Sequence, residues 1–129
     1  MIKMGVKFDT NKYGFLTVMR DYQEICLRFV WEKGEEGVTS GTAWLHTNKV
    51  LMEKEKSISR ASVIFFLNDM VDEGVINYRD KTGKGGHHRV YVPAFDEEGF
   101  KIHVAKTIIS RLFEIWPEAT REAIEAHER

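Results

Sequence analysis

The sequence predicts a mainly α protein with one small β-hairpin, on three observations. Three consecutive segments carry apolar residues at helical spacing, two short β-rich runs then flank a glycine-rich loop, and a long amphipathic segment follows. At 129 residues the chain suits one domain, with length to spare for an arm or an extra helix.

The first helical segment runs from Phe15 to Lys33, and the 14 residues before it carry no helical period and read as an arm. Phe15, Met19, Tyr22, Cys26 and Val30 make one stripe, while Val18, Ile25 and Phe29 fall on another side. A helix apolar on two sides is covered on two sides. Gly34 and Gly37 end it in a charged turn. Thr39 and Ser40 can cap a second helix that reaches about Lys54, with Ala43, Trp44, Val50 and Leu51 as its apolar positions. Ser59 is a natural N-cap for a third helix ending at Gly74, in which Val63, Phe66, Leu67, Met70 and Val71 mark the buried face.

The period then changes. Val75 to Arg79 and Arg89 to Pro93 read as strands, separated by a loop from Asp80 to His88. Pro93 stands at a strand end, where its missing N–H matters least. Asp96, Glu97 and Glu98 suit the positive end of a helix dipole. The long helix that follows reaches about Trp116, with Phe100, Val104, Ile108 and Leu112 along one line and Ala105, Ile109, Phe113 and Trp116 along a second. Pro117 fits the first turn of a final polar helix.

Three helices followed by a β-hairpin is the element order of a winged helix-turn-helix. The expected organisation is an arm over 1–14, a winged-helix domain over 15–95 and C-terminal dimerisation helices over 96–129. In that arrangement the third helix enters the DNA major groove and the hairpin, the wing, reaches the neighbouring backbone. The expected function is DNA-binding transcriptional regulation.

Several stretches resemble the penicillinase-repressor family: Trp31-Glu32-Lys33-Gly34 closing the first helix, Ser59 through Gly74 with Val75-Ile76 after it, and Tyr91-Val92-Pro93 ending the wing with Asp96-Glu97-Glu98 beyond. More loosely the chain is similar to MarR-type winged helices. The resemblance covers roughly residues 16–116 and implies a homodimeric repressor whose C-terminal helices hold two subunits together. The reading helix departs from the family pattern. Apart from Arg60 it carries no basic residue, and it ends in Asp69, Asp72 and Glu73.

Candidate base-reading residues are Arg60, Ala61, Ser62, Ile64, Phe65 and Asn68. At about 100° per residue, Ala61, Phe65, Asn68 and Asp72 point away from the buried side, with Ile64 and Asp69 beside them. Asn68 could read adenine, and Ile64 or Phe65 could touch a thymine methyl. Candidate backbone contacts are Thr39, Ser40, Lys56, Ser57 and Ser59 around the second helix and its turn, with Arg79, Lys81, Lys84, His87, His88 and Arg89 in the wing. Gly83, Gly85 and Gly86 let the chain approach phosphates closely. A second reading turns Ile64, Phe65 and Asp69 toward another protein, with little sequence-specific DNA binding.

Candidate dimer-interface residues are Phe100, Val104, Ile108, Leu112, Ile115 and Trp116. Large side chains at about 1.5–3 kcal/mol each are costly to leave in water, so a bare stripe on the long helix calls for a second copy.

A net charge of −1 argues against holding DNA by bulk charge, so any DNA contact must come from a local concentration of positive charge. One cysteine, Cys26, excludes an intramolecular disulfide and a multi-cysteine zinc site, and on its apolar stripe it reads as inert core. His87 and His88 are adjacent in a strand and point to opposite faces, a poor chelating pair. No metal, cofactor or catalytic constellation is expected. A small effector between the first and the long C-terminal helix is a further reading, though no polar cluster names one. Without an apolar run for a signal or a membrane span, the expected location is the cytoplasm.

Overall fold

The computed structural model describes residues 8–83 and 86–129. It is mainly α with a two-stranded antiparallel hairpin, in the order α1 (Asp21–Lys33), α2 (Ser40–Met52), α3 (Arg60–Asp72), β1 (Ile76–Gly83), β2 (Gly86–Pro93), α4 (Glu97–Ile115) and α5 (Pro117–Glu128). The chain divides into two compact units, one reaching to Asp96 and one from Glu97 onward.

In the first unit the helix expected from Phe15 begins later, at Asp21. Gly14–Thr17 is a short 3-10 turn, and the extended backbone of Arg20 precedes the helix. The Arg20 N–H donates 2.9 Å to the Gln23 side-chain oxygen, which fixes the start, and Asp21 sits in the first turn where the dipole favours it. Phe15, Val18 and Met19 are buried all the same. Burial, which apolar pattern reports, does not require helix. Part of the expected arm is also tied down, because the Asp9 N–H donates 2.8 Å to the Thr17 carbonyl. Residues 1–7 lie outside the described residues.

The caps of α2 and α3 follow from their sequences. Thr39 Oγ1 accepts from the Thr42 N–H at 3.2 Å, and Ser59 Oγ accepts from the Ser62 N–H at 3.1 Å. Between the helices, two α2 side chains grip one residue of the turn. Trp44 Nε1 donates 2.8 Å to the Ile58 carbonyl, and Asn48 Oδ1 accepts 2.9 Å from the Ile58 N–H. Both backbone groups of Ile58 are satisfied, so the turn holds α3 at a fixed angle to α2. Gly74, at φ +78°, then ends α3. The Val75 N–H reaches back 2.9 Å to the Met70 carbonyl, the longer bond of a Schellman motif.

The core gathers Cys26, Leu27 and Val30 of α1, Ala43, Thr47 and Leu51 of α2, and Val63, Phe66, Leu67 and Met70 of α3. Val75, Ile76, Val90 and Tyr91 close it at the root of the hairpin. Val38 joins β2 from the other edge, exchanging both backbone hydrogen bonds with Tyr91 at 2.9 and 2.7 Å. Gly37 makes this approach feasible. Its φ is +77°, and a Cβ there would run into Val90 Cγ1 and lie 3.1 Å from the Tyr91 carbonyl.

The strands are longer than the sequence suggests. The register runs from Ile76 opposite Pro93 to Gly83 opposite Gly86, so Asp80, Lys81 and Thr82 pair with Arg89, His88 and His87 where a loop is expected. Backbone pairing continues past the last buried side chain, and burial pattern ends where the core ends. Lys84 and Gly85 lie outside the described residues.

In the second unit α4 and α5 contact each other, and Pro117 opens α5 as its first residue. Phe100, Val104 and Thr120 are buried. No described helix is long and apolar enough to cross a membrane.

Candidate nucleic-acid interface

The outward face of α3 is apolar at its centre. Phe65 is 69% exposed and Ala61 is exposed, whereas Ile64 and Ser62 are half-covered. Ser62 serves the helix cap, because its N–H and hydroxyl both engage Ser59. Arg60, the first residue of α3, lays its guanidinium over the start of α2. Its Nη2 would stand 3.1 Å from a Cβ on Gly41. Thr39 and Ser40 flank that same helix start, where free backbone N–H groups and the dipole favour an anion.

Asn68, expected as a base reader, has its carbonyl oxygen already occupied. Asn68 Oδ1 accepts from Arg89 Nη1 at 3.0 Å and from the Tyr91 hydroxyl at 2.7 Å. Arg89 in turn stacks on Tyr78, its Cζ 3.9 Å from the ring centroid. Burial pushes the Tyr91 hydroxyl up from its ordinary value, and the Arg89 charge beside it pulls the other way. One residue of α3 and three of the hairpin therefore form a single polar and aromatic cluster. Tyr78 and Tyr91 are absent from the site expected from sequence. Their signal was the strand alternation, which puts Tyr78, Asp80 and Thr82 on the same face as Tyr91, Arg89 and His87 once the register is known.

That alternation also splits the basic wing residues. Arg79, Lys81 and His88 belong to the opposite face from Arg89 and His87. Arg79 is committed within the chain, donating to the backbone carbonyls of Glu35 and Glu36 at 3.1 and 3.0 Å. It ties β1 to the turn after α1, so two of its guanidinium donors are spent within the chain. Lys81, His87 and His88 are exposed, and Lys84 lies outside the described residues. In the turn before α3, Ser57 is exposed and Lys56 Nζ meets Asp21 Oδ2 at 2.9 Å. This hydrogen bond holds the Asp21 carboxyl below its usual range, against the smaller opposing effect of burial.

The expected dimer stripe on α4 needs a correction too. Phe100 is fully buried and Val104 nearly so within a single chain, so neither is bare. Ile108 is half-covered, while Leu112, Ile115 and Trp116 are exposed. The bare apolar line on α4 runs through Ile102, Ala105, Ile109 and Leu112, at alternating steps of three and four, and exposed Trp116 follows the helix as the N-cap of α5. That spacing keeps these α4 residues on one stripe of the helix surface. Burial divides the first expected line, covering Phe100 and Val104 and leaving Leu112 exposed, and it adds Ile102, which neither expected line contains.

Cys26 is fully buried, and burial pushes its thiol up to about 12 against a smaller pull from the Thr47 hydroxyl. No group of three or more His, Cys, Asp or Glu among the described residues is arranged to hold a metal ion.

No family model and no curated protein matches the chain. Among solved structures it is similar to that of a candidate transcriptional regulator from Thermoplasma acidophilum, at 18% identity and a TM-score of 0.42, over 73% of this chain and 92% of that one. At that TM-score the likeness carries no argument.

Proposed function

We propose that this protein is a DNA-binding transcriptional regulator, a repressor, acting as a homodimer. The N-terminal half of α3 lies in the major groove, and the wing rests on the phosphate backbone. One observation carries the reading: the Asn68–Arg89 hydrogen bond joins the outward face of the reading helix to a charged face of the wing. A groove and its flanking backbone can then be met together. Arg60, Thr39 and Ser40 add a phosphate contact at the start of α2, and the acidic end of α3, at Asp69 and Asp72, stays outside the groove. The second copy docks along the α4 seam centred on Ile109.

Selection of bound sequences from a random duplex pool at near-physiological salt tests this. The expected product is a palindrome with half-sites about one helical turn apart. The exposed Phe65, with Ile64 and Asp69 beside it, favours a second reading as a protein-interaction surface. Weak, sequence-blind DNA binding together with a stable protein partner would decide for that reading.

A further inference from the structure

An asparagine reads adenine with both ends of its amide at once, the oxygen accepting and the NH₂ donating. Asn68 is not free to do so. Its oxygen has two lone pairs and accepts two hydrogen bonds, from Arg89 and from Tyr91. Arg89 is the better-prepared group. Its guanidinium carbon lies 3.9 Å from the Tyr78 ring centroid, Asn68 accepts from its Nη1, and the side chain is still half-exposed. A guanidinium has five N–H donors in one plane, more than the oxygens of Asn68 and Tyr91 can use. Asp80 is its cross-strand partner, yet among the described residues no ion pair neutralises Arg89. An ordered arginine with spare donors suits a phosphodiester oxygen, because the entropy of fixing a long side chain is lost on folding and not on binding.

We propose that Arg89 meets a DNA phosphate at the junction of α3 and the wing, and that Asn68 is a positioning residue for Arg89 and not a reader of bases. The proposal rests on the DNA-binding reading above and gives Asn68 a role its residue type does not suggest.

The test is a salt series of binding titrations with a labelled mixed-sequence duplex, run on wild type and on Arg89→Ala, Asn68→Ala, Asn68→Asp and the double alanine variant. Arg89→Ala should weaken binding about tenfold and reduce the log–log salt slope by about 0.9, the share of one phosphate. Asn68→Ala should weaken binding about threefold in the wild-type background and have no effect once Arg89 is gone. Asn68→Asp is nearly isosteric and would pair with Arg89 directly. It should melt at or above the wild-type temperature while losing about 0.9 of the slope, a combination that a merely structural role would not give.

Equal cost of Asn68→Ala in both backgrounds, or a cost that disappears when one adenine in the duplex is replaced, overturns the positioning role. An unchanged slope in Arg89→Ala overturns the phosphate contact and leaves DNA binding standing. Wild type that binds no duplex even at low salt removes the DNA reading, and this proposal with it.

Discussion

The guanidinium of Arg79 donates 3.0 Å to the backbone carbonyl of Glu36, with a second bond of 3.1 Å to Glu35 beside it, and so ties strand β1 to the turn after α1. These carbonyls belong to a short 3-10 turn that has no side chain of its own to cap it. Arg79→Ala should lower stability by about 1–2 kcal/mol in urea unfolding, near the lower end for hydrogen bonds to a charged group because the site is exposed. An unchanged midpoint would mean that the backbone bridge at Val38 holds the wing root alone.

The same contact sets Arg79 apart from Lys81, which is exposed. Lys81→Ala should reduce the salt slope of DNA binding by about 0.9, whereas Arg79→Ala should leave that slope as it is. Equal effects from the two substitutions would mean that Arg79 leaves its carbonyls when DNA binds.

Gly37 is a packing requirement more than a flexible hinge. Replacement by alanine drives a Cβ into Val90 and holds a β-carbon at φ +77°, where L residues are strained. The expected loss is about 2–4 kcal/mol from overpacking and backbone strain together. Thermal melting of Gly37→Ala beside Gly34→Ala, whose added Cβ would meet nothing within 4 Å, isolates the packing share. Equal losses would leave only the backbone effect.

Cys26 ties stability to alkaline pH. Its thiol is pushed up to about 12 in the folded protein from an ordinary value near 9. A raised folded value means that the contribution is fully present below the unfolded value and is lost as pH rises through the folded one. Urea midpoints should therefore fall between about pH 9 and about pH 12, and Cys26→Ala should flatten that part of the profile. Alkylation at neutral pH should be slow and limited by opening of the fold, because only the thiolate reacts and this thiol is buried. Rapid labelling of native protein would contradict the burial.

Local chemistry made much of this legible in the sequence. Ser59, Ser62 and Gly74 bound α3 through contacts within a few residues, and Thr39 does the same for α2. The cluster of Asn68, Arg89, Tyr78 and Tyr91 was hidden because it depends on register, and register depends on how far the hairpin pairs beyond its buried root. Phe15 and Met19 mimicked an earlier helix start, since a buried 3-10 turn leaves the same apolar trace as a helix. On α4 two apolar lines are visible, and nothing local ranks Phe100 and Val104 above Ala105 and Ile109 for cover within the chain.

That ranking sets the final prediction, which uses one substitution on each line. Ile109 is 42% exposed at the middle of the bare seam, so a charge there costs the single chain little and costs a helix-to-helix contact its centre. Ile109→Glu should leave the melting curve at low concentration nearly unchanged and turn dimer into monomer in analytical ultracentrifugation. Phe100 is fully buried, so Phe100→Ala should do the reverse, lowering stability by about 3–5 kcal/mol with the association state of the folded fraction unaltered. A dimer that survives Ile109→Glu would move the subunit contact off this seam, and a monomer from Phe100→Ala that is still fully folded would return it to the line through Phe100 and Val104.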